Sequence, residues 1–198
     1  GKADTIANLE AAGIVVSGGG QLGIFEKDGV KVGMTGYCFP YKGGKKDISA
    51  DVKALREAGC QIVIASFHWG SEYRDDFTGE QRTIGRAAIK AGADIVVGTH
   101  PHIVQGIEAY QDSYILYSLG NLVFGGNVDP DDRDAYLARV TFTVYEDHCD
   151  APELTVVPIR LTALDKGTDY RPVVADEADS ARIFKRIMKA WATLSTGS

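Results

Sequence analysis

The sequence predicts a mixed α/β fold in a single domain. Three observations predict this class: strand-like and helix-like segments alternate, two continuous apolar runs flank one helix, and a later segment alternates apolar and polar residues. The chain has 198 residues, of which 44% are hydrophobic and 24% are charged, so it is expected to form a hydrophobic core rather than to remain disordered.

The first sixty residues are predicted to form two helices and three strands. A helix over residues 4–12 ends at Gly13, and glycine commonly terminates helices. The Asp28-Gly29 pair predicts a hairpin because Asp-Gly readily adopts the positive φ angles of a tight turn. The other predicted elements are strands at 14–16, 22–26 and 30–37, a loop at 40–46 and a helix at 50–58.

The centre of the chain predicts a buried βαβ unit. Residues 61–67 and 94–97 are short apolar runs, and a helical pattern at 80–91 lies between them. Parallel strands that are covered on both faces have this pattern. Residues 138–144 then alternate apolar and polar side chains, which is typical of an antiparallel strand with one exposed face. The last predicted elements are a partner strand at 154–164 and a closing helix at 177–194.

Charge and cysteine content argue against several functional classes. The formal net charge of −6 argues against a nucleic-acid partner and disfavours unaided binding of a polyanion. The three cysteines are widely spaced, so neither a disulfide framework nor a zinc knuckle is predicted. We expect no transmembrane segment, since no apolar run approaches the ~20 residues that span a bilayer. We also expect no signal peptide within this sequence, because it does not open with a basic region followed by an apolar one.

Three of the four histidines follow the two buried strands. His68 comes directly after the first strand, and His100 and His102 come shortly after the second. Because the carboxyl ends of parallel strands meet at one edge of a sheet, we expect the three rings to lie together. Pro101 disfavours a helical conformation, and in an extended segment the rings of His100 and His102 would face the same cavity. His148 lies in a polar turn and is expected to be exposed.

This grouping predicts a metal site, with His68, His100 and His102 as ligands and candidate catalytic residues. Neutral imidazole suits zinc, manganese, iron and nickel. The alternative for each histidine is a hydrogen-bonded structural role. Glu72 is expected at the same edge as a fourth catalytic candidate that orients water, or else as a surface glutamate.

Four further side chains are candidates for binding substrate near this edge. Trp69 and Tyr73 would wall a cleft, or alternatively pack in the core. Glu108 would lie at the edge, or on the surface of a loop. Asn121 would ligate or hydrogen-bond a substrate, or serve only as a turn residue. Arg82 and Arg86, four residues apart on a helix, are expected to form a solvated stripe.

Four short blocks of the sequence carry a family resemblance. They are residues 67–73 (FHWGSEY), 92–102 (GADIVVGTHPH), 105–108 (QGIE) and 117–121 (YSLGN). In content and order they resemble the bacterial CapA family of poly-γ-glutamate capsule biosynthesis proteins, which have a calcineurin-like metallophosphoesterase fold.

The resemblance implies an α/β/β/α sandwich with mixed sheets and a centre of two divalent metals, manganese, zinc or iron. By motif, His68 and His100 would bind one metal and His102 the other, with one residue inserted into the family's Gly-His-x-His block. The Gly-Asp and Asn-His motifs of the fold do not occur in this sequence. We therefore expect residues 1–198 to be a carboxy-terminal portion of the domain, incomplete at its amino terminus, that holds at most one metal, such as a zinc bound by the three histidines.

The implied function is capsule biosynthesis. The intact protein would be a metal-dependent hydrolase that cleaves a phosphoester or amide bond in handling an anionic polymer, and this portion alone is expected to be inactive. The alternative is a non-catalytic accessory protein that binds poly-γ-glutamate or its membrane-bound synthase. Both roles imply a location in the cell envelope or at the extracellular face of the membrane.

Overall fold

A six-stranded mixed sheet forms the centre of the structure. The structure is a computed structural model that describes residues 1–39 and 44–195, apart from the side chains of residues 44–46 and 190–195. The strands of the central sheet are β1 (Gly23–Lys27), β2 (Val30–Cys38), β3 (Ile62–His68), β4 (Ile95–Thr99), β5 (Ile107–Tyr110) and β6 (Ser113–Leu116). They lie in the order β1-β2-β3-β4-β6-β5, with β2, β3, β4 and β6 parallel and the two edge strands antiparallel to their neighbours.

Two helices cover one face of this sheet. They are α2 (Gly44–Glu57) and α3 (Gly79–Ala91), which follow α1 (Lys2–Ala11) along the chain. Val52 and Leu55 of α2 and Ile84 and Ala88 of α3 pack with strand residues such as Phe67 in one buried cluster. The apolar runs of β3 and β4 are therefore explained by burial on both faces.

A second sheet and the last helix cover the other face. The second sheet is antiparallel and contains β7 (Asp134–Thr141), β8 (Glu153–Arg160) and β9 (Val173–Val174), and the helix is α4 (Glu177–Ser195). Tyr136 of β7 and Ile183 of α4 pack with Ile95 and Leu116 of the central sheet. This arrangement confirms the predicted α/β sandwich. Among the described residues, no helix combines the length and the apolar composition needed to cross a bilayer.

The predicted βαβ unit and the first hairpin are confirmed. Strands β3 and β4 are parallel neighbours joined through α3. Asp28 and Gly29 adopt φ angles of 53° and 80°, as a tight Asp-Gly turn requires. Gly92 ends α3 in the left-handed conformation, with a φ of 113°.

Other predicted boundaries are wrong. Residues 14–16 form no strand, and Ile14 and Val15 are 52% and 45% exposed, because no neighbouring strand pairs with this short apolar run. Helix α2 begins at Gly44 rather than near residue 50; the rest of the predicted loop, residues 40–43, lies outside the described residues. Strand β8 ends at Arg160, and the short strands β5 and β9 were not predicted.

Candidate metal-binding site

The three histidines that follow β3 and β4 lie together at one edge of the central sheet. His68 pairs with Thr99 in the parallel register of β3 and β4. The loop after β4, which starts at His100, therefore begins beside His68. The ring centroids of His68 and His100 are 4.3 Å apart, and those of His100 and His102 are 6.0 Å apart. These three residues are called the histidine rim below.

The backbone of the rim is not extended, contrary to expectation. His100 and His102 have φ angles of 98° and 64°, which are uncommon for residues other than glycine. Pro101 keeps His100 out of the helical region but does not require an extended segment, and its carbonyl accepts a hydrogen bond of 2.9 Å from the backbone N–H of Tyr73. The two rings converge because the chain turns at both histidines. Strained backbone of this kind is costly, and it persists only where the surroundings hold it.

The side chains best placed to hold one metal ion are Glu72, His100 and His102. Their ligand atoms all lie within 4.8 Å of one another. Within the described part of the chain, His68 does not join this group, and its ring instead lies against that of His100 at an interplanar angle of 41°. The geometry therefore favours a donor set of two imidazoles and one carboxylate, rather than the three imidazoles expected from the sequence.

The electrostatics of the rim favour the neutral form of the His68 imidazole. Burial lowers the pKa of His68 below its ordinary value, and the neighbouring His100 and His102 lower it further, whereas Glu72 acts in the opposite direction. Histidine binds metal ions in its neutral form, so this environment is suited to metal binding.

His102 is enclosed by three side chains. Its ring stacks against Tyr73 at a centroid distance of 5.9 Å, and the ring centroid of Phe124 lies 4.9 Å away. The Nδ1 atom of His102 lies 2.9 Å from Oδ1 of Asn121. Tyr73 is 57% exposed, so it is accessible to a molecule bound at the rim. Asn121 contacts a rim histidine directly, and its contact with a substrate stays a prediction.

Comparison with known proteins places the chain in a family. The profile of the family described as bacterial capsule synthesis protein PGA_cap matches residues 1–126. The chain belongs to this family. The matched region includes Glu72, all three rim histidines and Asn121, whereas β7, β8, β9 and α4 lie beyond it. The resemblance to CapA proteins is therefore confirmed.

Two of the relatives are CapA proteins of Bacillus. The chain is 52% identical over 63 residues to the PGA biosynthesis protein CapA of Bacillus subtilis (strain 168). The aligned region covers 32% of this chain and 17% of the relative. It is 32% identical over 138 residues to the capsule biosynthesis protein CapA of Bacillus anthracis. The aligned region covers 65% of this chain and 32% of the relative. The PGA_cap chain thus spans less than a third of the length of these relatives.

A solved structure shares the fold. The crystal structure of a hypothetical protein from Thermus thermophilus superimposes with a TM-score of 0.51 over 79% of this chain and 71% of that one. The sequence identity is 13%, so this likeness supports the α/β sandwich and no more.

The structure does not bring Glu108 to the histidine rim. Glu108 is 1% exposed on β5, where it forms an ion pair with Arg86 and accepts a hydrogen bond from the hydroxyl group of Tyr117. Burial raises the pKa of Tyr117, and the hydrogen bond to Glu108 raises it further. The predicted substrate contact of Glu108 is therefore wrong, and so is the solvated stripe, because Arg82 and Arg86 both face this buried carboxylate.

Trp69 packs in the core of the PGA_cap chain. It is 1% exposed, stacks on Phe67 at a centroid distance of 4.6 Å and donates from Nε1 to the carbonyl of Tyr117. Gly98 lies directly beneath it: an added Cβ would lie 2.2 Å from the Tyr117 carbonyl oxygen and 2.4 Å from Nε1 of Trp69. The glycine thus permits the close approach of β4 and the indole. One edge of Trp69 also lines a cavity of about 370 Å³ together with His100.

Two buried glutamines hold the loop that carries Glu72, and sequence reasoning missed this role. Nε2 of Gln105 donates to the backbone carbonyls of Arg74 and Asp76, at 2.7 and 3.3 Å. Gln81 donates to Gln105 and also forms a capping box with Thr78 at the start of α3. The Thr-x-x-Gln spacing at residues 78–81 was the available sequence signal.

Tyr73 also lines a charged cavity of about 650 Å³. Its lining includes Asp134, which accepts two hydrogen bonds from Arg182 and one from Arg186. Arg186 also pairs with Asp132 and with Asp75. These ion pairs join α4 to the start of β7 and to the loop after β3, so the cavity wall is part of the packing of α4.

Proposed function

We propose that the protein is a metal-dependent hydrolase of capsule polymer handling, which cleaves a phosphoester or amide bond at the cell envelope. The observation that carries the proposal is the convergence of ligand atoms from Glu72, His100 and His102 within 4.8 Å. Membership of the bacterial capsule synthesis family supports the biological setting.

The donor set fits a divalent transition metal. Imidazole and carboxylate ligands suit zinc, manganese and iron, and three protein ligands with one open position are the usual arrangement of a catalytic zinc site. An ion bound there would supply Lewis-acid polarisation of the scissile bond and a water molecule that loses its proton near neutral pH. In this proposal one ion is bound by Glu72, His100 and His102.

The surrounding residues have separate tasks in this proposal. Gln81 and Gln105 keep the Glu72 loop in place through buried hydrogen bonds. The exposed ring of Tyr73 contacts a polymer segment beside the ion, and the tilted ring of His68 limits access of solvent to His100 by lying against it. The partner would be an anionic polymer, and the bound cation would offset the repulsion expected from the net charge of −6.

The test is metal content followed by turnover. Protein loaded separately with zinc, manganese or anaerobic ferrous ion and then dialysed is expected to retain about one equivalent of one of these metals. His100→Ala should retain less than about a tenth of an equivalent, because two ligands remain. His148→Ala is the matched control, since His148 is an exposed histidine outside the rim, and it should bind as the parent does.

Turnover separates the enzyme from an accessory protein. Because residues 1–198 alone are expected to be inactive, the full-length protein is loaded with metal and assayed on a chromogenic phosphodiester and on poly-γ-glutamate, alongside its Glu72→Gln variant. Hydrolysis that requires the metal and falls with Glu72→Gln supports the proposal. Binding of poly-γ-glutamate without hydrolysis by any metal form would instead assign the accessory role, and absence of metal binding by the parent protein would refute the site.

A further inference from the structure

We infer that Asn121 is the positioning residue that fixes the tautomer of His102, so that Nε2 is the nitrogen offered to a metal ion. The metal-binding consequence rests on the proposed function, but the tautomer itself does not. One amide group contacts His102 twice. Nδ2 of Asn121 donates to the backbone carbonyl of His102 at 3.2 Å, and Oδ1 lies 2.9 Å from the ring Nδ1.

The backbone contact determines the orientation of the amide. A carbonyl oxygen only accepts hydrogen bonds, so the NH₂ end of Asn121 must face the carbonyl of His102. The oxygen end of the same amide therefore faces the imidazole. An amide oxygen also only accepts, so Nδ1 of His102 must carry the proton. In the neutral ring the lone pair then lies on Nε2.

The other side of the ring is complementary to a cation. Nε2 of His102 lies 4.0 Å from Oε1 of Glu72, which is too long for a direct hydrogen bond. With the proton on Nδ1, this gap separates two electron-pair donors. Such donors repel each other unless a positive charge lies near both, and a divalent ion supplies that charge. A histidine ligand whose second nitrogen is held by an outer hydrogen bond is a common feature of metal sites.

Backbone contacts between the segments that carry His102 and Asn121 place these two residues side by side. Val104 and Leu119 form an isolated β-bridge, and the carbonyl of Ser118 accepts from the N–H of Gln105 at 3.1 Å. Gly120 adopts a φ of 79°, where a Cβ would lie 2.6 Å from the carbonyl oxygen of Asp134. The segment before Asn121 therefore has little freedom. These contacts place the side-chain amide of Asn121 beside His102, whose φ is 64°.

The first measurement uses metal-free protein. Ring ¹⁵N chemical shifts of His102, assigned by their loss in His102→Ala, report which nitrogen is protonated at about pH 8, where a histidine of ordinary pKa is neutral. The parent protein is expected to show the Nδ1–H form. Asn121→Ala should shift the ring to the mixture of a free side chain, in which the Nε2–H form predominates. Asn121→Asp should restore the Nδ1–H form, because a carboxylate still accepts from Nδ1. An unchanged tautomer in Asn121→Ala would overturn the inference.

The second measurement is metal affinity, determined with zinc alone. Asn121→Ala is expected to bind about 10- to 100-fold more weakly, the usual cost of losing such a partner, and Asn121→Asp should recover most of this loss. Asn127→Ala is the matched control, because Asn127 bonds within its own turn on the same loop. Thermal unfolding verifies that each variant is folded.

The two ideas fail separately. A parent protein that binds no metal but shows the Nδ1–H ring refutes the proposed function and leaves the tautomer assignment supported. A changed tautomer in Asn121→Ala with unchanged zinc affinity would overturn the role of Asn121 in ligation.

Discussion

Replacement of Gly98 by alanine is expected to destabilise the protein and to displace the histidine rim. The new Cβ would lie 2.2 Å from the carbonyl oxygen of Tyr117 and 2.4 Å from Nε1 of Trp69. The shortest ordinary carbon–oxygen contact is about 3.3 Å, so β4 and β6 would have to separate by roughly 1 Å. That movement would also break the hydrogen bond from Trp69 to Tyr117.

The expected loss follows from these two effects. Overpacking of a filled core costs about 1–3 kcal/mol, and loss of a buried hydrogen bond costs about 1–3 kcal/mol. The free energy of unfolding of Gly98→Ala should therefore fall by about 2–6 kcal/mol. His100 lies two residues later, so any variant that still folds should also bind zinc more weakly than the parent.

Urea denaturation followed by circular dichroism measures the stability change. Gly79→Ala is the matched control: Gly79 is the first residue of α3, and no atom lies within 4 Å of its added Cβ. Its stability should change by less than about 1 kcal/mol. A loss below about 1 kcal/mol for Gly98→Ala would show that the sheet relaxes freely around the new methyl group, and the reasoning from close contact would be refuted.

Two more predictions concern buried carboxylates. Glu108→Ala should lower the free energy of unfolding by about 2–4 kcal/mol, because it leaves the buried Tyr117 hydroxyl without its acceptor and the partly exposed Arg86 without its ion-pair partner. Glu80→Ala on the exposed start of α3 should cost less than about 0.5 kcal/mol, and equal losses in urea titrations would contradict the burial argument. Burial alone would raise the pKa of Asp134, but its hydrogen bonds and ion pairs with two α4 arginines hold it below its ordinary value. The stability this residue contributes is therefore present above its ordinary pKa and is lost as the pH falls through that value toward the folded-state pKa. Asp134→Asn should accordingly lose less stability than the parent between about pH 5 and pH 2, and parallel acid-unfolding curves would exclude this linkage.

The βαβ centre could be predicted because its signals are local. Apolar runs identified β3 and β4, and the rule that parallel strands end at one edge placed His68 near His100 without knowledge of any distance. Gly92 also carried its own signal as a helix terminator.

The parts that failed depend on contacts between distant residues. Glu108 has the sequence environment of an exposed loop carboxylate, and Arg86 on α3, 22 residues away in sequence, reaches it only in the folded chain. The positive φ of His102 could not be inferred from Pro101, because Asn121 contacts this histidine from 19 residues further along the chain. Periodicity contains no information about such pairs.

The stack of Trp69 on Phe67 has an optical consequence. Trp69 is one of two tryptophans in the chain, and its ring centroid lies 6.0 Å from that of Tyr117. An indole in such a dry environment emits at short wavelength and receives excitation energy from the nearby phenol. Replacement of the second tryptophan, Trp191, would leave a single emitter beneath the strand that leads to His100. The emission wavelength of Trp69 would then report changes around the rim during unfolding or metal loading, without an attached dye.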